Sequence, residues 1–309
     1  MITFFTTAKP FNGHNGVIQR NALTSWKLLH PDVEVILFGD EEGAAEVCAE
    51  LELRHEPHVE RHESGFKYIG SIFDEAQKVA RHEVLCYVNC DILLTGDFAV
   101  AVKRLSAEKR EFLMVGRRWD TDIAEPVDFS NPRWPKVVRK TAFQAALQRD
   151  EWFIDYFVFR RGLFLNRIPR LVIGRVYWDN WLLWFAGHRG AALVDASPAV
   201  MAIHQNHDYG YHPQGRTGVW NDELARRNFA LAGGYKHLRS MQNSTHELTL
   251  SRLRKRTIFE RGWKSARAGW RNRVWHPVLD RTRMVRQALG LRRGASALSR
   301  RDSDPTKKT

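Results

Sequence analysis

Four polar groups interrupt apolar segments of this 309-residue sequence, and their side chains are of the types that bind metal ions or transfer protons. They are Asn89 with Asp91, Asp155, Asp179, and His204 with His207. Carboxylate oxygens suit Mg²⁺ and Mn²⁺, and a carboxylate that accepts a proton acts as a general base. The sequence therefore contains the parts for chemistry that needs a cation and a base.

Asn89 and Asp91 follow the apolar run 84–88, which predicts a strand buried on both faces. Side chains two positions apart on a strand point the same way, so this pair faces one side and Cys90 faces the other. In an open α/β sheet, ligands bind outside the carboxyl ends of the strands. The pair is thus placed to touch a ligand or a hard cation, with an ordinary turn as the alternative.

Asp155 and Asp179 are the candidate carboxylates outside this strand end. Asp155 lies in the aromatic segment 150–159, where a carboxylate must be paired or desolvated at a cost in free energy. Asp179 follows Trp178 at a predicted helix start, where the helix dipole favours the charged form of a carboxylate. We expect Asp179 to be ionised at pH 7, and a purely structural role in the first helical turn is the alternative.

A histidine cluster and a literal D-x-D complete the candidates. His204, His207 and His212 fall within nine residues, a density that favours a site over isolated hydrogen-bonded histidines. Asp120 and Asp122 form the D-x-D, but no long buried strand carries them. We interpret this D-x-D as part of a turn, with a metal site as the less favoured alternative.

Strands and helices alternate along the part of the chain that must position these groups. Apolar runs predict the strands 2–7, 33–38, 53–59, 84–88, 112–116 and 191–195, and helical spacing predicts the helices 17–29, 41–51 and 67–80. This alternation is typical of βαβ units and a mostly parallel sheet.

Missing patterns exclude several classes of protein. The first strand is not followed by G-x-G-x-x-G and no G-x-x-x-x-G-K-[ST] occurs, which argues against a dinucleotide site and a P-loop. Cys48, Cys86 and Cys90 lack zinc or redox spacing. No apolar run approaches the roughly 20 residues that span a bilayer, and the N-terminus lacks a signal-peptide pattern. We expect a reduced, cytoplasmic protein.

The positive charge of the chain is concentrated in its last quarter. Of the formal net charge of +13, residues 236–309 carry +15, from 20 Lys and Arg against five Asp and Glu, so residues 1–235 are near neutral. Trp263 and Trp270 stand among these cations. Such a tail can lie on an anionic membrane surface, bind nucleic acid or simply be a solvated run of charge.

The order of these motifs resembles that of glycosyltransferases with the GT-A fold. Asn89-Cys90-Asp91 resembles their DxD motif with Asn in the first position, residues 155–162 resemble their glycine-containing loop, Trp178-Asp179 resembles their acidic helix start, and His204 resembles their C-terminal metal-binding histidine. The blocks RRWDTDI, DYFVF, YWDNWL and AIHQNHDYGYH are also similar to bacterial and plant glycosyltransferase-like proteins.

The resemblance implies a GT-A-like, Rossmann-like domain over residues 1–235 and a separate basic tail over 236–309. It implies a hexosyl- or pentosyltransferase that moves a sugar from a nucleotide-diphosphate-sugar donor to a glycan, lipid-linked or other hydroxyl acceptor. Asp91 and His204 would hold Mn²⁺ or Mg²⁺, and Asp179 would be the base, with Asp155 as its competitor. The nucleotide would contact Thr6, Thr7, Asp40 and Asn89. The tail would place the protein on the inner face of a membrane.

Two other interpretations share this fold class. One is a non-catalytic GT-A-like binding protein whose basic tail binds nucleic acid or another anionic partner, and we favour a nucleic-acid partner less than a membrane. The other is a nucleotide-sugar pyrophosphorylase, but the glycine-rich basic loop that such enzymes need after the first strand is absent.

Overall fold

Twelve strands and eight α-helices are formed by the residues that the computed structural model describes, which are 1–108, 111–207, 215–257 and 260, with only the backbone of 215–217. The strands are β1 (Ile2–Thr7), β2 (Val33–Phe38), β3 (Arg54–Glu56), β4 (Val84–Val88), β5 (Ile92–Leu93), β6 (Phe112–Val115), β7 (Arg118–Thr121), β8 (Tyr156–Arg160), β9 (Ala192–Asp195), β10 (Ala202–Gln205), β11 (His246–Leu248) and β12 (Leu253–Lys255). The helices are α1 (Gly13–Lys27), α2 (Ala44–Glu50), α3 (Ile69–Val79), α4 (Gly96–Ser106), α5 (Trp134–Ala145), α6 (Trp178–His188), α7 (Gly215–Asn221) and α8 (Glu223–Leu231).

Nine of these strands form the main sheet, in the order β12-β11-β9-β6-β8-β4-β1-β2-β3. β8 is antiparallel to both of its neighbours and β12 is antiparallel to β11, while the other pairings are parallel. Helices cover both faces. The predicted fold class, a mostly parallel α/β sheet flanked by helices, is confirmed.

Two apolar layers hold the helices against this sheet. On one face, Phe73 of α3 and Leu182 of α6 pack in the same core as Phe5 of β1. On the other face, Trp26 of α1 and Phe98 of α4 pack in a second core. Successive strand residues alternate between faces, so the uninterrupted apolar run of β4 and the neighbouring Phe4 and Phe5 of β1 supply both cores at once.

A smaller sheet, in the order β5-β10-β7, begins where β4 ends. The chain leaves β4 through Asn89-Cys90-Asp91, and the Ile92 amide donates to the Asn89 carbonyl at 3.1 Å. This tight corner carries the chain from the main sheet into β5. Residues 89–91 therefore lie at the junction of the two sheets.

Several elements differ from the sequence predictions. α1 begins at Gly13, four residues before the predicted start, and β3 is shorter than predicted. The prediction of a turn around Asp120 is wrong, because Asp120 lies on β7 and pairs with β10. The main sheet also continues past residue 235 through β11 and β12, strands of three residues each that carry no long apolar run.

Most of the predicted tail lies outside the described residues, and its expected partners stay predictions. No helix in the described part of the chain is both long and apolar enough to cross a membrane.

We expect Phe73→Ala to lower the free energy of unfolding by about 3–5 kcal/mol, measured by urea denaturation. The ring is fully buried, stacks on Tyr87 and Phe159 at centroid distances of 5.4 and 5.5 Å, and meets Phe5 edge-on at 4.9 Å. Val100→Ala is the control, because Val100 is exposed on α4 and its truncation should change stability by about 0.5 kcal/mol or less. Similar losses in both variants would contradict this account of the core.

Candidate active site

The corner after β4 places Asp91 beside two histidines. β10 pairs antiparallel with β5, with His204 opposite Ile92, and the Gln205 amide donates to the Asp91 carbonyl at 3.1 Å. Asp91 Oδ2 lies 3.8 Å from His204 Nε2 and 3.0 Å from His207 Nε2. We call Asp91, His204 and His207 the histidine–aspartate cluster. The structure thus brings the predicted pair Asp91 and His204 together and adds His207.

This cluster fits a divalent cation. One potential ligand atom from each residue lies within 4.8 Å of the others. Asp91 Oδ1 is buried and accepts no hydrogen bond from the described residues, so an oxygen ligand is left over. Burial alone would raise the pKa of Asp91, but His204, His207 and Arg118 outweigh it and hold that pKa well below its ordinary value. Two imidazoles with one carboxylate suit Mn²⁺ better than Mg²⁺, which prefers oxygen ligands.

Asp120 lies directly behind His204. β7 runs parallel to β10 with Asp120 in register with His204, and Asp120 Oδ1 is 3.3 Å from His204 Nδ1. Burial would raise the pKa of this carboxyl group, but the contact with His204 and the charges of Arg118 and Arg149 lower it to about 2. An ionised carboxylate on one ring nitrogen fixes the ring so that the other nitrogen can face a metal. The separation of 3.3 Å places Asp120 where it can hold the His204 ring towards Asp91, although His204 Nδ1 does not meet the geometry of a hydrogen bond in this structure.

Arg118 joins this arrangement to Asp155. Its Nε donates to Asp120 Oδ1 at 2.8 Å, and its terminal nitrogen donates to both oxygens of Asp155 at 3.0 and 3.1 Å. Asn89 Nδ2 donates to Asp155 Oδ1 at 2.8 Å, and the Asn89 backbone amide donates to the Asp155 carbonyl at 2.9 Å. Asp155 is thus paired, as a carboxylate among aromatic side chains must be, and the amide nitrogen of Asn89 is engaged with it.

Asp179 is the second residue of α6. The ring of Trp178 packs against Tyr87 and Phe157 at centroid distances of 5.4 and 5.5 Å, which fixes the helix start against β4 and β8. The preceding residue, Tyr177, has φ of 85°, a left-handed backbone conformation that is unfavourable for a side chain of this size. Asp179 Oδ1 is buried and accepts no hydrogen bond from the described residues.

The ionisation of Asp179 differs from the sequence prediction. Burial raises its pKa to about 7, and the charge of Asp155 acts in the same direction. Backbone amides at the helix start lower the pKa but do not outweigh the burial. The expectation that the helix dipole dominates is therefore wrong. A carboxylate with a pKa near the working pH is better suited to accept a proton than a fully stabilised one.

The predicted nucleotide contacts at the ends of β1 and β2 have different surroundings. Thr6 is fully buried and its hydroxyl donates to the Val88 carbonyl of β4 at 2.6 Å, so it joins the two strands. The hydroxyl of Thr7 instead accepts a hydrogen bond from the ammonium of Lys67. Asp40 is exposed and pairs with Arg61.

Lys67, Glu41 and Arg61 complete a second polar group that sequence reasoning missed. Lys67 Nζ lies 2.5 Å from Glu41 Oε2, and Arg61 lies 3.1 Å from Glu41 Oε1. Burial lowers the pKa of Lys67, and the ion pair with Glu41 opposes that shift. We call Thr7, Asp40, Glu41, Arg61 and Lys67 the β1–β2 cluster. No motif marks these residues, because the chain brings them together across 60 positions.

Lys9, in the loop after β1, reaches the histidine–aspartate cluster. Its Nζ is 3.2 Å from His207 Nδ1. β1 and β4 are neighbours in the main sheet, so the loops at their carboxyl ends share one edge, which is where ligands bind in such folds. A separate cleft of about 540 Å³, lined in part by Tyr68, Asp74 and Arg170, contains none of the predicted site residues.

Comparison with known proteins finds similarity only among solved structures. No protein-family model and no curated protein matches this chain. Glucosyl-3-phosphoglycerate synthase from Mycobacterium tuberculosis, solved with Mg²⁺ and UDP, is 12% identical with a TM-score of 0.46, over 76% of this chain and 80% of that one. A mannosyltransferase from Pyrobaculum calidifontis, solved with GDP-Man and Mn²⁺, is 16% identical with a TM-score of 0.43, over 69% of this chain and 59% of that one.

We expect Asp120→Asn to lower the free energy of unfolding by about 3 kcal/mol in metal-free buffer, measured by urea denaturation. The substitution removes a buried carboxylate from two arginines, and losing one partner of a buried ion pair is costly. It should also weaken binding of Mn²⁺ by about 10- to 100-fold, because His204 loses the group that orients it.

Asp122→Asn is the matched control from the same D-x-D. Asp122 is exposed and accepts a hydrogen bond from Asn206 at 2.8 Å, so its loss should change stability by about 0.5 kcal/mol or less. Equal effects at positions 120 and 122 would show that Asp120 does not support the site in this way.

Proposed function

We propose that this protein transfers a sugar from a nucleotide-diphosphate-sugar donor to an acceptor hydroxyl. The observation that carries the proposal is the histidine–aspartate cluster at the carboxyl edge of a mostly parallel sheet, together with a nearby carboxylate whose pKa lies near 7. Such a reaction needs a cation for the leaving diphosphate and a base for the acceptor, and the site supplies residues for both.

Asp91, His204 and His207 would hold the divalent cation, and the expected nucleotide contacts lie at or just after the carboxyl ends of β1, β2 and β4. The cation supplies positive charge that stabilises the diphosphate as it leaves. Lys9 adds a positive charge next to His207. Thr7 and Asp40 of the β1–β2 cluster are the proposed contacts of the nucleoside, and Asn89 is the proposed contact beside the diphosphate.

Asp179 is the proposed base. It takes the proton from the acceptor hydroxyl as that oxygen forms a bond to the anomeric carbon of the donor sugar. The bond from this carbon to the diphosphate oxygen breaks, and its electron pair leaves with the diphosphate. This single displacement inverts the anomeric configuration. The buried position of Asp179 keeps water from stabilising its charge, which makes it a stronger base than an exposed aspartate.

A non-catalytic binding protein is the second candidate, and the first position of the DxD-like corner favours it. Asn89 offers no carboxylate there, and its amide nitrogen is held by Asp155. The two candidates differ in nucleotide binding. A nucleoside diphosphate with Mn²⁺ should raise the melting temperature of a transferase, because a ligand that binds only the folded state stabilises it. A protein that acts through its tail alone should show no such shift.

We expect Asp91→Ala to abolish the part of nucleotide binding that depends on Mn²⁺. For the wild-type protein at a ligand concentration of 100 times the dissociation constant, the stabilisation is about 2.7 kcal/mol. The variant should lose most of it, because the cation loses its carboxylate. Thermal shift with UDP and GDP, each with and without Mn²⁺, measures the effect. Asp122→Asn is the control. If the nucleotide affinities of the wild type and of Asp91→Ala are each the same with and without Mn²⁺, the metal assignment is wrong.

We expect Asp179→Asn to bind nucleotide normally and to turn over about 10²- to 10⁴-fold more slowly. In the wild-type protein, kcat should rise about tenfold per pH unit below pH 7 and level off above it, because only the deprotonated carboxylate accepts the proton and its pKa is about 7. Asp155→Asn is measured beside it. Normal turnover of Asp179→Asn with slow turnover of Asp155→Asn would exchange the two roles.

A second measurement tests the state of Asp179 before any acceptor is known. A carboxyl group whose pKa is raised by folding destabilises the folded state as pH rises through the unfolded and then the folded pKa. Asp179→Asn removes this cost, so its free energy of unfolding should exceed that of the wild type by about 4 kcal/mol at pH 8 and nearly match it at pH 4. If neither Asp179→Asn nor Asp155→Asn slows the reaction, a transfer that retains the anomeric configuration becomes the better mechanism.

A further inference from the structure

Helix α5 is apolar on both of its sides. Its inner side, with Trp134, Val138 and Ala142, packs on Ile203 of β10. Its outer side carries exposed apolar residues, and a third one follows the helix end; their exposed fractions are 54% for Val137, 69% for Phe143 and 43% for Leu147. None of the three belongs to the core under α5, although the Phe143 ring contacts Trp119 at a centroid distance of 6.0 Å.

The same outer surface is positively charged. Residues 133–147 contain four Lys and Arg and no Asp or Glu. Arg139 pairs with Asp97, whereas Arg133, Lys136 and Lys140 are exposed and form no ion pair with the described residues. Lys136, Lys140 and Phe143 are spaced by four and three positions, the spacing of one helical face, and Leu147 follows the helix end. We call Arg133, Lys136, Val137, Lys140, Phe143 and Leu147 the α5 face.

We propose that the α5 face docks on an anionic lipid bilayer. Helices with cations beside exposed aromatic and aliphatic side chains lie in the membrane interface, with the apolar groups among the acyl chains and the cations at the headgroups. Lysine stems cover apolar surface while their ammonium groups stay in water. The face thus matches the bilayer in both polarity and charge.

Charge argues against two other occupants of this surface. Residues 266–309 contain twelve Lys and Arg against three Asp and Glu, so this segment has the same sign of charge as the α5 face and does not complement it. A symmetric pair of copies that met through this face would also bring like charges together. An anionic surface is the complementary partner.

The position of α5 links this surface to the site. The helix packs on β7 and β10, which carry Asp120 and His204, and Arg149, which follows α5, pairs with Asp120. A bilayer bound at α5 therefore lies beside the strands that build the site. Insofar as the proposed sugar transfer holds, this placement selects an acceptor hydroxyl that is carried on a lipid.

The test uses the full-length protein and vesicles, without nucleotide or metal, so that its result does not depend on the proposed activity. Vesicles of phosphatidylcholine alone are compared with vesicles that contain phosphatidylglycerol, and binding is measured by co-sedimentation. We expect binding to the anionic vesicles only. Lys136→Glu with Lys140→Glu should weaken it by about 30-fold or more, from the contribution of each cation near an anionic surface. Val137→Ser with Phe143→Ser should weaken it comparably.

Matched controls separate the α5 face from total charge and from exposed apolar residues in general. Lys103→Glu with Lys236→Glu changes the net charge equally at exposed positions elsewhere, and Leu250→Ser removes an apolar side chain that is 77% exposed. Both controls should bind vesicles as the wild type does. Circular dichroism and melting temperature show that each variant is folded.

A fluorescent label reports insertion directly. Cys48, Cys86 and Cys90 are buried, so a cysteine introduced as Phe143→Cys can be labelled selectively with an environment-sensitive dye. Its emission should shift to shorter wavelength on anionic vesicles, and that of a labelled Leu250→Cys protein should not. Unchanged binding of the α5 variants, equal losses in the controls or no shift at position 143 would each overturn the proposal. Binding to soluble polyglutamate but not to vesicles would also overturn it, and would identify an acidic protein as the partner.

Discussion

The structure of the site depends on one guanidinium group that two buried carboxylates share. Asp120 and Asp155 would repel each other and destabilise the fold if both were charged without a cation between them. Arg118 lies between them and donates to both. Each of these carboxylates contacts one further residue of the site. Asp120 lies beside His204, and Asp155 accepts a hydrogen bond from Asn89. The corner after β4 and the end of β10 are therefore positioned by the same cation.

The pKa of Asp179, which lies outside the pairing with Arg118, is shifted in the opposite direction from that of Asp120. Asp120 has arginines and a histidine around it, and its pKa falls to about 2. Asp179 has a hydrophobic setting and the negative charge of Asp155, and its pKa rises to about 7. The two aspartates thus have environments that push their pKa values apart, a pattern that separates a permanently charged group from one that exchanges protons. In this site the first lies against the ring of His204, and the second is the proposed base.

Local sequence was sufficient to predict β4, the corner after it and the start of α6. It was not sufficient to predict the contacts between distant strands. The apolar run of β4, the polar corner after it and the start of α6 at Trp178 were all predicted from their own residues. Asp120 was misread because β7 has only four residues, two of them charged, and becomes a strand by pairing with β10. The partners Arg118 and Lys67 were missed for the same reason, since no local pattern records a register between distant strands. The two consecutive arginines that begin the block RRWDTDI were the available signal for the partner of Asp120, because a buried carboxylate needs a cation beside it.

Two carboxylate oxygens of the candidate site, Asp91 Oδ1 and Asp179 Oδ1, are buried without a hydrogen-bond donor among the described residues. Tyr177, two residues before Asp179, has a left-handed backbone. Each of these features costs free energy in the protein without its ligands. Under the proposed function, a cation on Asp91 and an acceptor hydroxyl on Asp179 would satisfy these oxygens and so stabilise the folded chain. Because unfolded chains are the substrates of cellular proteases, a protein with the proposed sugar transfer would have a lifetime that follows the supply of its donor. An unused copy would be degraded faster than a working one.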